Sequence, residues 1–394
     1  MQSYDDSLNA LLAHAPKYEL KERIGLDRAY GRILGVNICA QNSYPSVATA
    51  AMDGYACKAS DLKAGAKLKI IDKVPAGSAP KKEITQGSCA KTFTGSLISN
   101  GADTLIPIEN VSANDEYIII NEVVKQGFAV RAIGESYFKD ELLLKAGSRL
   151  DFSELALLAE LGWHFVDVLA RPRAAILATG SELVDLGSHK KQDSQIYSSN
   201  GIALASIAKK CGCQSVMMPL IKDDKKELEN AVYSALQSCD ILLTSGGVSV
   251  GDFDFMRDFV RCNGEIIIDK AAIKPGRHIK IVKLQNKFIF ALPGFSYSAM
   301  VTAMLYFRPF VAKMLGADAN FWHQGILQDD YKKRSDFEEF VAATLSQNGA
   351  QITLSTQGKK RASSAVGTNL NNNAVLIRAN KEIKAGDVIQ YTLL

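Results

Sequence analysis

The hydrophobic and polar positions of residues 169–316 alternate between short apolar runs and amphipathic segments. The apolar runs predict buried strands at 174–178, 215–218, 239–244 and 265–268. The segments between them predict helices that begin near Ser199, Asp223 and Phe255, with Gly212 just after the first helix and Asp223 as the cap of the second. Extended segments at 278–284 and 287–292 precede a long apolar helix over 297–313. This alternation indicates an α/β domain with a mostly parallel sheet.

The rest of the chain follows other patterns. Residues 41–136 form short β patterns, such as 67–71 and 117–120, separated by glycine and proline. Residues 1–40 and 137–168 are more helical, with a capping box at 151–154. We therefore expect a discontinuous helical N-terminal or linker domain (1–40 and 137–168), an inserted β-rich domain (41–136), the α/β domain (169–316) and a C-terminal β-barrel or sandwich (317–394).

Composition and charge exclude several classes of protein. The chain has 394 residues and a net charge of +4, and its basic blocks, 332–334 and 359–361, are too few for a nucleic-acid-binding protein. No apolar run reaches the roughly 18 residues that cross a membrane, and the N-terminus shows no secretory signal. The seven cysteines are scattered, which favours reduced thiols over disulfides or a zinc site. These features predict a cytoplasmic globular protein.

The segment 245–254, with the sequence SGGVSVGDFD, is the most informative motif. It lies between a predicted buried strand and a predicted helix. Glycines at such a turn let backbone N–H groups approach an anionic ligand, and the helix N-terminus adds partial positive charge. Ser245 and Ser249 add hydroxyl donors, and Asp254 is suited to hold a metal or to orient the ligand. A plain tight turn is the alternative interpretation of this segment on its own.

Loops at 179–182 and 293–296 also follow predicted strands, and ligands of parallel sheets bind at the carboxyl ends of strands. Further motifs complete an ordered set: AMDGYA at 51–56, FTG at 93–95, TGSEL at 179–183, IKPG at 273–276 and LPG at 292–294. In this order the chain resembles the molybdopterin molybdenumtransferase family, which includes MoeA and the E domain of gephyrin. The resemblance extends over nearly the whole length.

The resemblance implies a multidomain fold with a molybdopterin-binding-type α/β domain and a small C-terminal β-barrel. It also implies an elongated homodimer, with a site between the α/β domain of one protomer and the inserted domain of the other. The implied reaction inserts molybdate into the dithiolene of adenylylated molybdopterin with Mg²⁺ and releases AMP. The implied partners are a molybdopterin adenylyltransferase and maturation proteins of molybdoenzymes, and no nucleic acid or membrane.

The resemblance also assigns site residues. Residues expected to bind the substrate are Thr179, Gly180, Ser199, Asn200, Ser245, Gly246, Gly247, Ser249, Gly251, Lys270, Pro275, Gly276, Pro293 and Gly294. Glycine loops with hydroxyl groups suit the phosphates of that substrate. The expected catalytic residues are Glu182, Asp254, Lys274, Thr94 and Arg131, and the expected Mg²⁺ ligands are Asp223, Asp254 and Glu182, since Mg²⁺ prefers carboxylate oxygens.

Structural interpretations of the charged residues stay open. The structural alternative for Glu182 is an acidic residue that stabilises a nearby helix N-terminus. The structural alternative for Lys274 is a solvent-exposed loop lysine. For Asp53 we favour a role in bracing the turn at 52–54 over a role in catalysis.

The chain departs from the family at several positions of the expected site. Three acidic positions are occupied by Ala48, Ser136 and Ser198. The family's Pro-Gly-Lys-Pro is PGRH at 275–278, and its Pro-Gly-Asn-Pro is PGFS at 293–296. Fewer carboxylates weaken metal binding.

Two hypotheses follow from these departures. One is a divergent but working transferase, and the other is a catalytically impaired paralogue that binds molybdopterin or the finished cofactor. A nucleotide hydrolase or adenylyltransferase is a third and weaker interpretation, since it leaves the other domains unexplained.

Overall fold

The computed structural model describes residues 1–188, 191–248, 255–371 and 373–394. In these ranges the α-helices are α1 (Tyr4–Ala13), α2 (Phe152–Glu160), α3 (Ser199–Lys210), α4 (Lys225–Ser238), α5 (Phe255–Asn263), α6 (Ser296–Thr302), α7 (Arg308–Met314) and α8 (Val366–Asn369). None of the helices in the described ranges is long and apolar enough to span a membrane.

The strands of the first half are β1 (Lys21–Gly25), β2 (Ile38–Cys39), β3 (Thr49–Ala50), β4 (Gly54–Cys57), β5 (Lys67–Val74), β6 (Ser88–Thr92), β7 (Thr104–Pro107), β8 (Val111–Ala113), β9 (Tyr117–Ile120), β10 (Val130–Arg131), β11 (Leu142–Leu144) and β12 (Phe165–Leu169). Those of the second half are β13 (Arg173–Ala178), β14 (Leu183–Val184), β15 (Ile196–Tyr197), β16 (Gln214–Met217), β17 (Ile241–Ser245), β18 (Glu265–Ile268), β19 (Ile273–Lys274), β20 (Lys280–Leu284), β21 (Lys287–Leu292), β22 (His323–Leu327), β23 (Glu338–Asn348), β24 (Gln351–Ser355), β25 (Ala374–Ala379) and β26 (Val388–Leu393).

The chain forms two compact units. The first comprises residues 1–24, 31–35 and 167–394, and the second comprises residues 25–30 and 36–166. Helix α1 belongs to the first unit and α2 to the second. The domain boundaries given above stay a prediction.

The first unit is built around a sheet with the strand order β16-β13-β17-β21-β20-β18. Neighbours from β16 to β21 are parallel, whereas β20 and β18 add antiparallel pairs. Alternate residues of each strand enter two apolar cores. Ala174 and Ile176 pack with α1, α3 and the 296–314 helical segment, and Ala175 and Leu177 pack with α4 and α5. Because both faces are covered, the central strands β13, β17 and β21 are mostly apolar.

The helix caps follow the sequence except at α4. Helix α3 begins at Ser199 as predicted, and Gly212 takes a φ of 90° just beyond its end. The predicted cap of α4 is wrong by one residue: Asp224 accepts a hydrogen bond from the Glu227 N–H at 2.8 Å and caps the helix. The Asp223 carboxylate instead accepts a hydrogen bond from the Ser181 N–H, in the loop after β13.

The predicted long apolar helix is an unbroken helical segment with three parts. Helices α6 and α7 are joined by a π-helical stretch over Ala303–Phe307, and most of the segment is buried in the core of the first unit. A π-helical turn widens the backbone locally.

The C-terminal strands close into a barrel in the part of the chain that the structure describes. The order β23-β24-β22-β26-β25 returns to β23 through an additional pairing. Strand β19 of the α/β region pairs in parallel with β23, with Lys274 opposite Glu339. This pairing fixes the IKPG motif against the barrel.

The second unit contains a mixed sheet with the order β7-β4-β6-β5-β9-β8. Its apolar core includes Tyr55, Leu68 and Ile118. Helix α2 begins with the predicted capping box, in which Asp151 and Glu154 each accept a hydrogen bond from the backbone of the first turn. The expected fold class, a parallel-rich α/β domain with a β-rich insertion and a terminal barrel, is confirmed.

Candidate active site

A cavity of about 750 Å³ opens at the carboxyl ends of β13, β17 and β21. These three strands are neighbours in the sheet, so the loops that follow them lie side by side. The walls also include residues of the α3 N-terminus, the IKPG turn and the barrel. Its position is the one where doubly wound sheets bind ligands.

Two glycines allow the central loop to approach its neighbours. Gly246 has a φ of 103°, and a Cβ on this residue would stand 2.5 Å from the carbonyl oxygen of Thr179. Gly247 has a φ of 67°, which also favours glycine. Any side chain at position 246 would therefore force the loops after β13 and β17 apart.

The side chain of Asn200 fastens the loops together. Its Nδ2 donates hydrogen bonds to Ser245 Oγ at 2.5 Å and to the Gly294 carbonyl at 2.7 Å. The Asn200 Oδ1 atom is buried and has no hydrogen-bond partner among the described residues. A buried acceptor without a partner is costly, and a donor on a bound ligand or a water molecule would satisfy it.

Two carboxylates line the same cavity. The Asp223 Oδ2 accepts a hydrogen bond from the Ser181 N–H at 2.9 Å, and Ser181 Oγ accepts from the Asp223 N–H at 3.2 Å. The Glu182 carboxylate lies over Gly180, 2.6 Å from where a Cβ would stand. Within the described ranges, no three metal-ligating side chains form a cluster.

One wall of the cavity carries the cation Lys274, which contacts a residue of the barrel. Lys274 is half-exposed, and its Nζ lies 3.7 Å from Oε1 of the buried Glu339. The Glu339 carboxylate also accepts hydrogen bonds from the Tyr331 hydroxyl at 2.6 Å and the Ser335 hydroxyl at 2.7 Å. Burial opposes its charge, yet these hydrogen bonds and Lys274 hold the pKa of Glu339 below its ordinary value of 4.5.

Most of the sequence-predicted residues meet at this cavity. Its walls contain Thr179, Gly180, Glu182, Ser199, Asn200, Asp223, Ser245, Gly246, Gly247, Lys274, Pro275, Gly276, Pro293 and Gly294. Lys270 is not part of the walls. Ser249, Gly251 and Asp254 lie outside the described residues.

Two predicted catalytic residues belong to the second unit. Thr94 donates to the Asp53 carboxylate from its N–H at 2.8 Å and from its hydroxyl at 2.7 Å, and these bonds lower the pKa of Asp53. Arg131 Nε lies 3.2 Å from the Glu135 carboxylate. The Asp53 carboxylate thus braces the FTG turn at 93–95, whereas the bracing of its own turn at 52–54 stays a prediction.

Several cavity residues carried no signal for a binding site in the sequence. Ser335, Phe337 and Ser363 come from barrel loops that contain no recognisable motif. In the sequence, Arg277, His278 and Phe295 are departures from the family's motifs and carry no assigned role. Their common location depends on the pairing of β19 with β23, which the sequence pattern does not reveal.

The α/β domain, its glycine-loop cavity and the added barrel define a protein with a molybdopterin-binding-type fold. Residues 2–162 match the MoeA N-terminal region (domain I and II), and residues 175–313 match the probable molybdopterin binding domain. The chain belongs to the molybdopterin molybdenumtransferase family. The expected resemblance is confirmed.

Individual relatives cover most of the chain. The molybdopterin molybdenumtransferase of Haemophilus influenzae is 33% identical over 317 residues, which cover 80% of this chain and 78% of that protein. That of Staphylococcus epidermidis is 27% identical and covers 94% and 90%. The molybdopterin biosynthesis moeA protein of Pyrococcus horikoshii superimposes with a TM-score of 0.85 at 26% identity and covers 100% of both chains. These relatives do not favour the impaired-paralogue hypothesis.

We expect Glu339→Gln to remove a pH-dependent part of the stability. The folded-state pKa of Glu339 lies below its ordinary value of 4.5, so its charge stabilises the fold above that pH. This contribution is lost as the pH falls through the lower folded-state pKa. Urea unfolding of both proteins from neutral to acidic pH measures the difference. A difference in unfolding free energy that stays constant over this range contradicts the assignment.

Proposed function

We propose that this protein inserts molybdate into the dithiolene of adenylylated molybdopterin and releases AMP. The observation that carries the proposal is the cavity at the ends of three parallel strands, in a chain of the molybdopterin molybdenumtransferase family. Molybdopterin and molybdate are the substrates. The reaction needs phosphate binding, oxyanion binding and a protected site, and the described residues offer groups for each.

The glycine loops supply the phosphate-binding groups. The N–H groups of Gly247 and Val248 donate to no described residue and stand beside the cavity. The hydroxyl group of Ser199 adds a further donor, whereas the Ser245 hydroxyl is engaged with Asn200 and the Pro293 carbonyl. Since backbone N–H groups at such loops favour anions, we assign the substrate phosphates to this side of the cavity.

The cationic residues are suited to the oxyanion. Lys274 carries a half-exposed ammonium group held by Glu339, and Arg277 adds a guanidinium with several directed donors. A guanidinium matches the oxygens of a tetrahedral anion better than an ammonium does. These two cations lie on the wall that joins the α/β domain to the barrel, so molybdate and phosphate compete less for the same donors.

We assign Mg²⁺ to the acidic side of the cavity. Mg²⁺ in proteins is often held by one or two carboxylates while it keeps several waters and binds substrate phosphates. Glu182 and Asp223 meet this requirement in the described part of the wall. When bound, the ion would neutralise phosphate charge. The chain's own contribution is to orient Asp223 through Ser181.

We further propose a cytoplasmic homodimer in which Thr94 and Arg131 of one protomer complete the site of its partner. The proposal is supported by the family relationship and by a cavity whose described wall residues all belong to the first unit. A molybdopterin adenylyltransferase and maturation proteins of molybdoenzymes are the proposed partners. Sedimentation of the wild type at micromolar concentration should show a dimer, and a stable monomer would count against this arrangement.

We expect Gly246→Ala to reduce AMP release strongly. The new Cβ would stand 2.5 Å from the Thr179 carbonyl and displace the phosphate loop, and displacements of about 1 Å cost roughly 100-fold in rate. The assay follows AMP from adenylylated molybdopterin with molybdate and Mg²⁺. Gly162→Ala is the matched control, because Gly162 also has a positive φ, 78°, with nothing within 4 Å of the new Cβ. Equal losses in both variants would point to general backbone strain.

We expect the double restoration Ala48→Asp with Ser136→Asp to strengthen Mg²⁺ dependence. Carboxylates supply the charge that binds a hard cation, so the Mg²⁺ concentration at half-maximal rate should fall. The matched control is the charge-free pair Ala48→Asn with Ser136→Asn. A vigorous wild type that neither pair improves would show that these positions do not carry the chemistry here. A wild type that binds cofactor tightly but releases no AMP would revive the binding-paralogue hypothesis.

A further inference from the structure

One residue of the cavity wall is aromatic and exposed. Phe295 follows the LPG motif and occupies the N-cap of α6. The residue is 66% exposed, although it lines the cavity. Burying a phenylalanine side chain stabilises a fold by roughly 1.5–3 kcal/mol, so this exposure forgoes stability. The fold therefore gives no reason for an aromatic side chain at position 295.

The position of Phe295 at the N-cap of α6 makes an aromatic residue there more informative. Asn, which the family usually has here, caps helices well and contributes about 1 kcal/mol relative to an apolar residue. Phe295 makes no capping hydrogen bond. The Ser363 carbonyl accepts instead from the N–H groups of Tyr297 at 3.0 Å and Ser298 at 3.3 Å. Because a barrel loop satisfies the first turn, position 295 is available for another role.

A second aromatic ring lines the same cavity and is firmly placed. Phe337 lies between two anchored residues: the Ser335 hydroxyl donates to Glu339, and the Glu338 N–H donates to the Ala272 carbonyl at 3.0 Å. The Arg277 guanidinium lies 5.5 Å from the centre of the Phe337 ring. The wall therefore presents a fixed ring with a cation on its face, in addition to the exposed ring of Phe295.

We propose that Phe295 and Phe337 form a stacking subsite for the adenine ring of the adenylylated substrate. The proposal rests on the proposed function. Stacking on aromatic side chains is worth roughly 1–3 kcal/mol per base. The glycine loops take the phosphates that join the two halves of the substrate. An exposed ring on the wall shared with the barrel then suits the half that leaves as AMP.

The test is calorimetric titration of full-length wild type, Phe295→Leu and Phe337→Leu with AMP and with ribose 5-phosphate. Leucine keeps the apolar bulk and the fold but removes the aromatic face. We expect AMP affinity to fall about 5- to 150-fold, the range that corresponds to the stacking energy. Ribose 5-phosphate affinity should not change. Phe152→Leu, on exposed Phe152 at the start of α2, is the matched control and should leave both affinities unchanged.

Several outcomes overturn the proposal. Unchanged AMP affinity in both variants excludes stacking, and an equal loss for the two ligands assigns the effect to phosphate binding. Free pterin is titrated in the same way. A loss of affinity for free pterin without a loss for AMP assigns the rings to the pterin half of the substrate. An altered sedimentation coefficient in Phe295→Leu places that residue in a subunit interface.

The failure of this subsite is distinguishable from failure of the proposed function. Wild-type AMP release with molybdate and Mg²⁺ tests the reaction, whereas the titration tests only the rings. Active wild type with unchanged AMP affinity in the variants overturns the subsite alone. Phe295→Asn, which installs the residue usual in the family, should lose AMP affinity as Phe295→Leu does, and full affinity in this variant also overturns the subsite.

Discussion

The parallel pairing of β13, β17 and β21 is the constraint on which the site depends. Because parallel neighbours end at the same edge of a sheet, three loops far apart in sequence meet there. Gly246 then lets two of them touch, and the Asn200 amide fixes the second to the third. A register shift in any one of these three strands would move the hydrogen-bonding groups of the loops apart, and the cavity would no longer form. The apolar cores on both faces hold that register, so stability and binding geometry share one origin.

Periodicity predicts the elements of the α/β domain, and the glycine motifs predict the loop side of the cavity. The central strands are apolar runs, Gly212 follows the end of α3 and α4 begins at an aspartate cap, so local chemistry matches global structure there. The cap of α4 shows the limit of this reasoning. Asp223 and Asp224 are adjacent acids with equal capping propensity, and only the Ser181 N–H, brought close by the sheet, decides that Asp223 serves the loop.

The barrel side of the site could not be predicted for a different reason. Ser335, Phe337 and Ser363 reach the cavity only because β19 pairs with β23, and a two-residue strand has no periodicity. The buried Glu339 marks the same junction: it stabilises the fold through Tyr331 and faces the cavity cation Lys274. The barrel therefore forms part of the cavity wall in addition to being a folded layer with its own core.

The capping of α6 by the Ser363 carbonyl has a consequence for the residue that precedes the helix. When a main-chain oxygen supplies the cap, the residue at position 295 can change between polar and aromatic types while the helix keeps its first-turn hydrogen bonds. A substitution at position 295 therefore changes the chemistry of the cavity wall and removes no main-chain hydrogen bond from the first turn of α6.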